Sequence, residues 1–155
     1  MKVEYIEPFI KASQNILLQI VNEEAVLGKI FLKDSTFHGD NVIIIIGIAG
    51  DIRGQVIFNL SQRSACNVVS KMMCGMPVSS LDDMAKSAIG ELANMISGNA
   101  AMLFSEQKIN LDITPPTIMI GDNIEISTTK SQSICAPLLM QDNFSFEINV
   151  SLSES

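Results

Sequence analysis

The hydrophobic positions change period several times along the chain, and each change marks an element. After VEYI, which reads as strand or coil, Pro8 suits a first helical position, and FIKASQNILLQIV carries Phe9, Ile16, Ile20 and Val21 at helical spacing. GKIFLKDSTF, NVIIIIGIAG and RGQVIFNL are β-rich runs separated by turn residues at HGD and GDIRG, which predicts an antiparallel meander. Ser61 is placed to cap a second helix, SQRSACNVVSKMMC, which Gly75 and Pro77 stop near Cys74. Ser80, with Asp83 three residues on, resembles a capping box for a long helix from Leu81 to Glu106. INLDI, TIMI, NIEIST, SICAPLLM and FSFEINVSL then read as strands. In the last of them Phe144, Phe146, Ile148, Val150 and Leu152 alternate with polar residues, the pattern of a strand buried on one face.

The order helix, strands, two helices, strands invites a search for duplication. Aligning Ile10–Leu17 with Ile89–Ile96 matches Ile10 with Ile89 and Asn15 with Asn94 and keeps two trailing apolar positions, while Ala12 stands opposite Glu91. If this is a repeat, only the second copy keeps the carboxylate.

Composition narrows the classes. A chain of 155 residues, 47% hydrophobic, can bury one substantial core, so a single domain over residues 1–155 is expected. Seventeen acidic against ten basic residues leave a net charge of −7, with Arg53 and Arg63 the only arginines, which argues against a nucleic-acid partner. The amino terminus is interrupted by Glu4, Glu7, Pro8 and Lys11 and does not read as a secretory signal. Val42–Gly50, the longest apolar run, is far shorter than the roughly 20 residues a membrane span needs. A soluble, cytoplasmic protein with no membrane partner is expected. Cys66, Cys74 and Cys135 are odd in number and lack a CxxC pair, so they are read as buried, reduced thiols. His38, the sole histidine, sits in TFHGDN and reads as a turn residue; one histidine cannot supply a histidine-based catalytic pair or a multi-histidine metal site.

The long helix holds the informative pattern. At about 100° per residue, Ser87, Glu91, Asn94 and Gly98 fall within a band of roughly 60°, apart from an apolar face of Ile89, Leu92, Ile96, Ala100 and Leu103. Such a band is the ordinary solvated side of an amphipathic helix, or it is a surface offered to a partner. The small residues Gly90, Ala93, Gly98 and Ala101 weigh on that choice. A glycine inside a helix costs roughly 1 kcal/mol relative to alanine, so each asks for close packing within the protein or close approach from outside.

Ser87, Glu91 and Asn94 match the signature Asp or Ser, three residues, Glu, two residues, Asn, and here the sequence resembles the CheX/CheC/FliY family of chemotaxis phosphatases. Gly98 and Asn99 of SGNA continue the match. PFIKASQNIL, IAGDIRGQVIF, SKMMCGMPV and ITPPTIMIG look like further family landmarks in the expected order, so the resemblance covers nearly the whole chain. One intact signature, in the second half, is CheX-like; CheC-type members usually carry two. The resemblance implies an α+β, CheC-like fold with helices packed on an antiparallel sheet and an internal pseudo-repeat, and it implies a homodimer.

It also implies a substrate, the phosphoryl-aspartate of a CheY-like response regulator, whose receiver domain itself carries the Mg²⁺ and a lysine beside the phosphate. No cofactor of the phosphatase's own is then needed. Asn94, a carboxamide that donates and accepts, is suited to orient the attacking water, and Glu91 is placed to pair with the receiver's lysine. Ser87 and Gly98 fall to partner binding, with Gly98 and Ala93 expected to provide clearance. The alternative is a non-catalytic module of the same fold that docks on a receiver or flagellar component.

Overall fold

The isoleucine run Val42–Ile48 does not alternate with polar residues because both of its faces are covered. Val42, Ile44, Ile46 and Ile48 enter the main core beneath the helices, while Ile43 joins Ile57 in a smaller cluster on the opposite face, flanked by Ile45, Ile124 and Ile126. A computed structural model describes residues 3–33, 36–126 and 133–154, with the backbone alone over 36–40. The helices are α1 (Glu7–Ile16), α2 (Gln62–Met72) and α3 (Asp83–Glu106). The strands are β1 (Val26–Leu27), β2 (Phe31–Lys33), β3 (Thr36–Gly50), β4 (Ile52–Leu60), β5 (Leu111–Ile113), β6 (Thr117–Glu125), β7 (Ser133–Leu139) and β8 (Ser145–Glu154). Among the described residues they form one antiparallel sheet in the order β1-β7-β8-β4-β3-β5, with β2 also pairing β7 and β6 also pairing β3. The fold is α+β, with helices packed on an antiparallel sheet.

The pairing pattern gives the duplication a tertiary basis. When α1-β2-β3-β4 is exchanged for α3-β6-β7-β8, the hairpin β3–β4 maps onto β7–β8, the cross-pair β2–β7 onto β6–β3, and the central pair β4–β8 onto itself. α2 stands between the halves. The start of α1 meets the end of α3, where Phe9 packs edge-on against Phe104 at 5.7 Å and Tyr5 lies at 6.4 Å. Near the end of α2, Lys71 forms an ion pair with the fully buried Glu23, whose other oxygen accepts the backbone N–H of Gln141 at 3.4 Å. That contact ties the segment after α1 to the turn before β8.

Several expectations are corrected. VEYI, expected as strand or coil, is a 3₁₀ turn, and it buries Tyr5 and Ile6. The helix that begins α1 continues as a turn of π-helix, Leu17–Val21, and ends at Asn22 in the left-handed region, φ 58°. HGD makes no turn: β3 runs through it, and its register against β6 shifts between Phe37 and Asp40. Because β6 lies alongside both arms, the irregularity is absorbed as a bulge. The expected meander therefore reduces to the β3–β4 hairpin, and β2 crosses to pair β7, whose outer edge would otherwise be open. The side chain of His38, and Asp34, Ser35, Ser127 and Thr128 within the expected strands, lie outside the description. TIMI and NIEI form one strand, β6. Ser61 caps α2 as expected, accepting the Ser64 N–H at 3.0 Å, but α3 is capped by Asp82, which accepts the Ala85 N–H at 2.9 Å, and not by Ser80. Helix α3 begins two residues later than expected, and the nearest acceptor to its free N–H groups is a carboxylate, favoured at a helix N-terminus.

Candidate functional site on the long helix

α3 is 24 residues long, and its amphipathic pattern orients it. Ile89, Leu92, Ile96 and Ala100 are buried in the main core, and Leu103 is half-buried against it. On the other side Ser87 and Glu91 are exposed and Asn94 and Gly98 are half-buried, so the four residues expected to act together share one outward band. One helical turn separates Glu91 from Asn94, about 4.5 Å along the axis. Neither side chain has a hydrogen-bond partner among the described residues, which leaves a carboxylate and a carboxamide available on the same surface.

The small residues divide by position. A Cβ on Gly90 would stand 3.2 Å from Ile118 Cδ1 and 3.6 Å from Pro116 Cγ, so this glycine lets α3 lie close to the segment that enters β6. Ala93 is buried in the core and gives no clearance to a partner; that expectation is corrected, because position 93 lies on the helix's inner side. Gly98 differs from both, since a Cβ there would meet nothing within 4 Å. Its bareness has no internal packing explanation. Asn99, which continues the sequence signature, keeps its side-chain oxygen buried and unpaired, and the Ser97 hydroxyl, on another side of the helix, is likewise buried without a partner.

The alignment of the two halves holds on burial at only some positions. Ile10 and Ile89 are both buried, as are Leu17 and Ile96, while Asn15 is exposed and Asn94 half-exposed. They part where exposed Lys11 faces buried Gly90, where buried Ile16 faces half-buried Met95, and at Ala12, which is fully buried where Glu91 is exposed. The first copy could not carry a solvated carboxylate at that position without a change in packing.

The sequence reading passed over the methionines of α3. Met84 and Met102 are exposed and Met95 is half-buried on the same side of the helix as Glu91. Their separation of 18 residues is five turns, so the helical wheel that located the polar band contained this signal too. The cysteines also differ from expectation: Cys135 is buried and Cys66 half-buried, but Cys74 is exposed in the turn after α2. Burial, and to a lesser degree Asp82, pushes the Cys66 thiol up from its ordinary 9.0. Burial followed by the Glu147 carboxylate pushes Cys135 up much further. Among the described residues no three His, Cys, Asp or Glu side chains converge as metal ligands, and no helix is long and apolar enough to cross a membrane.

Comparison with known proteins gives the chain relatives. The CheY-P phosphatase CheX of Thermotoga maritima is 43% identical over 88 residues, which cover 57% of this chain and 57% of that protein. The match thus spans little more than half of the relative's length. The chemotaxis protein CheX from Desulfovibrio desulfuricans superposes with a TM-score of 0.85 at 28% identity, covering 99% of this chain and 100% of that one. A chain of the CheX-CheY-BeF3-Mg²⁺ complex from Borrelia burgdorferi superposes with a TM-score of 0.83 at 30% identity, covering 99% and 100%. The sequence also matches the family described as Chemotaxis phosphatase CheX over residues 42–139, a stretch that takes in all of α3 and every residue of the outward band, and the chain belongs to that family.

Proposed function

We propose that this protein hydrolyses the phosphoryl-aspartate of a CheY-like response regulator by laying the outward face of α3 into the receiver's phosphorylation cleft. The observation that carries the reading is the pair Glu91 and Asn94, one turn apart, outward-facing and without internal partners, on a helix left bare at Gly98.

Phosphoryl transfer to water depends chiefly on holding the water in line with the breaking bond and on stabilising charge. The receiver brings its own Mg²⁺ and lysine to the phosphate, so the visiting protein has to supply the water's position. The Asn94 carboxamide accepts a hydrogen bond from the water through its oxygen and donates through its nitrogen to a neighbouring oxygen, which fixes the water's orientation. Glu91 pairs with the receiver's lysine and sets the register between the two proteins. Ser87 lies a turn before Glu91 at the edge of the contact, and Gly98 removes the side chain that would hold the receiver away. Under this reading the protein needs no cofactor of its own and acts as a soluble cytoplasmic domain.

The reading includes a homodimer. The edge formed by β1 and β2 exposes Val26, Leu27, Phe31 and Leu32, with Leu139 of β7 beside them, an apolar strip remote in sequence from the α3 signature and suited to a second copy of the chain.

The test is a comparison of wild-type, Asn94→Ala and Glu91→Ala proteins on phosphorylated CheY-like receivers. Asn94→Ala should lower kcat about a hundredfold, equivalent to about 2.7 kcal/mol of transition-state stabilisation, with little change in receiver affinity. Glu91→Ala should weaken binding as well as turnover, because it removes a charge-assisted contact worth about 1.5–3 kcal/mol. Full phosphatase activity in a folded Asn94→Ala protein would defeat the mechanism. Binding without phosphate release in the wild type would favour the non-catalytic docking module.

A further inference from the structure

Met84 is 51% exposed, and Met102, at 66%, is the least covered large apolar side chain among the described residues. They stand at opposite ends of the α3 face that carries Glu91 and Asn94. At about 100° per residue they share one azimuth, and Glu91 lies within about 20° of it. Met95, between them, is partly buried and packs onto the core, but Met84 and Met102 contribute no such packing. The fold gives no reason for exposed methionine where glutamate or lysine would serve a helix equally well.

We propose that Met84 and Met102 are receiver-binding residues that supply affinity on either side of the Glu91/Asn94 pair; this rests on the phosphatase reading above. A single charge-assisted contact sets register but does not by itself supply the affinity of a specific complex, to which apolar side chains desolvated at the interface add. The two methionines are about 27 Å apart along the helix axis, close to the diameter of a small domain, so one receiver can straddle both. The occupant that fits is a receiver whose polar phosphorylation cleft is bordered on both sides by apolar surface. Methionine is unbranched and polarizable and adapts to different partner shapes, which suits a surface that meets more than one receiver.

A second copy of the chain is a poorer occupant of this face. Lys86, the one cation between Met84 and Met102 in the sequence, is half-buried and about 160° round the helix from them, so the exposed band contains no lysine or arginine. Two-fold pairing across it would therefore bring two Glu91 carboxylates together without a cation in the band to offset them. Between residues 26 and 33 the β1–β2 edge exposes one charge, Lys29, beside Val26, Leu27, Phe31 and Leu32, and it suits self-association better.

The experiment uses the full chain with Met84→Gln and Met102→Gln combined. Glutamine keeps similar length and helix propensity but removes the apolar contact, and both positions are exposed, so the fold should be retained. Binding is titrated with a panel of CheY-like receivers held in the BeF3-Mg²⁺ state, alongside phosphate release and sedimentation. The expected result is a Kd weakened about tenfold or more for the receivers that wild type binds, a parallel rise in KM, and kcat changed by less than about twofold. Asn94→Ala should show the reverse split. A Kd within about twofold of wild type for every receiver would overturn the proposal, as would conversion of a wild-type dimer to monomer, which would assign the face to a second copy. If the double variant weakens binding but wild type releases no phosphate, this inference stands and the phosphatase reading falls. If wild type binds no receiver, both fall.

Discussion

Replacing Gly98 by alanine separates what the fold needs from what a partner needs. Gly98 lies well inside α3, and a Cβ there would meet nothing within 4 Å, so the methyl group brings no clash within the chain. What remains is helix propensity, which favours alanine over glycine by about 0.8–1 kcal/mol in a helix interior. For a chain of this length that corresponds to a rise in Tm of about 2–4 °C, measured by circular dichroism on heating. Gly90→Ala is the internal control. There the added carbon would crowd Ile118 Cδ1 at 3.2 Å, so the same propensity gain is offset by displacement of that methyl, and the net change should be smaller or negative. If Gly98 is clearance for a receiver, the stabilised Gly98→Ala protein should lose about tenfold in kcat/KM, or about 1.4 kcal/mol, through poorer docking. A higher Tm with unchanged kcat/KM would refute the clearance argument. A lower Tm would refute the inference that the position is open.

Two further predictions concern the scaffold. Asp82→Ala removes the group that caps α3 and should cost about 1 kcal/mol in urea unfolding, while Ser80→Ala should stay within about 0.5 kcal/mol; the reverse order would return the cap to Ser80. The Cys135 thiol, held protonated in the fold by burial and by Glu147, should make stability fall at alkaline pH. The unfolded chain releases this proton near 9 and the folded chain retains it, so the contribution is intact below about pH 9 and declines by up to about 1.4 kcal/mol per unit above it. The stability gap between wild type and Cys135→Ala, measured from about pH 8 to about pH 10, should therefore shift in favour of the variant as pH rises. A constant gap would show that Cys135 does not carry the effect.

Local pattern reached a long way into this molecule. The period of α3 placed Leu92 and Ile96 inside and Glu91 outside, the alternation of β8 placed Phe146, Ile148, Val150 and Leu152 inside, although Asn149 and Ser151 on its other face are buried as well, and Ser61 was found as a cap, because each depends on neighbours a few residues away. The signature Ser87, Glu91 and Asn94 was legible for the same reason: residues three and four apart on a helix share a face whatever the rest of the chain does. Pairing was not legible. Whether HGD turns or bulges depends on β6, some eighty residues away, and whether β2 joins β3 or β7 depends on which sheet edge is left uncovered. The glycines show the division at single-residue scale. Sequence made Gly90, Ala93 and Gly98 equally suspect, since all three are small residues in one helix. Only the packing of Ile118 and Pro116 against Gly90, the core around Ala93 and the empty space at Gly98 assign them different causes, because a missing side chain has meaning only through the atoms that would have met it.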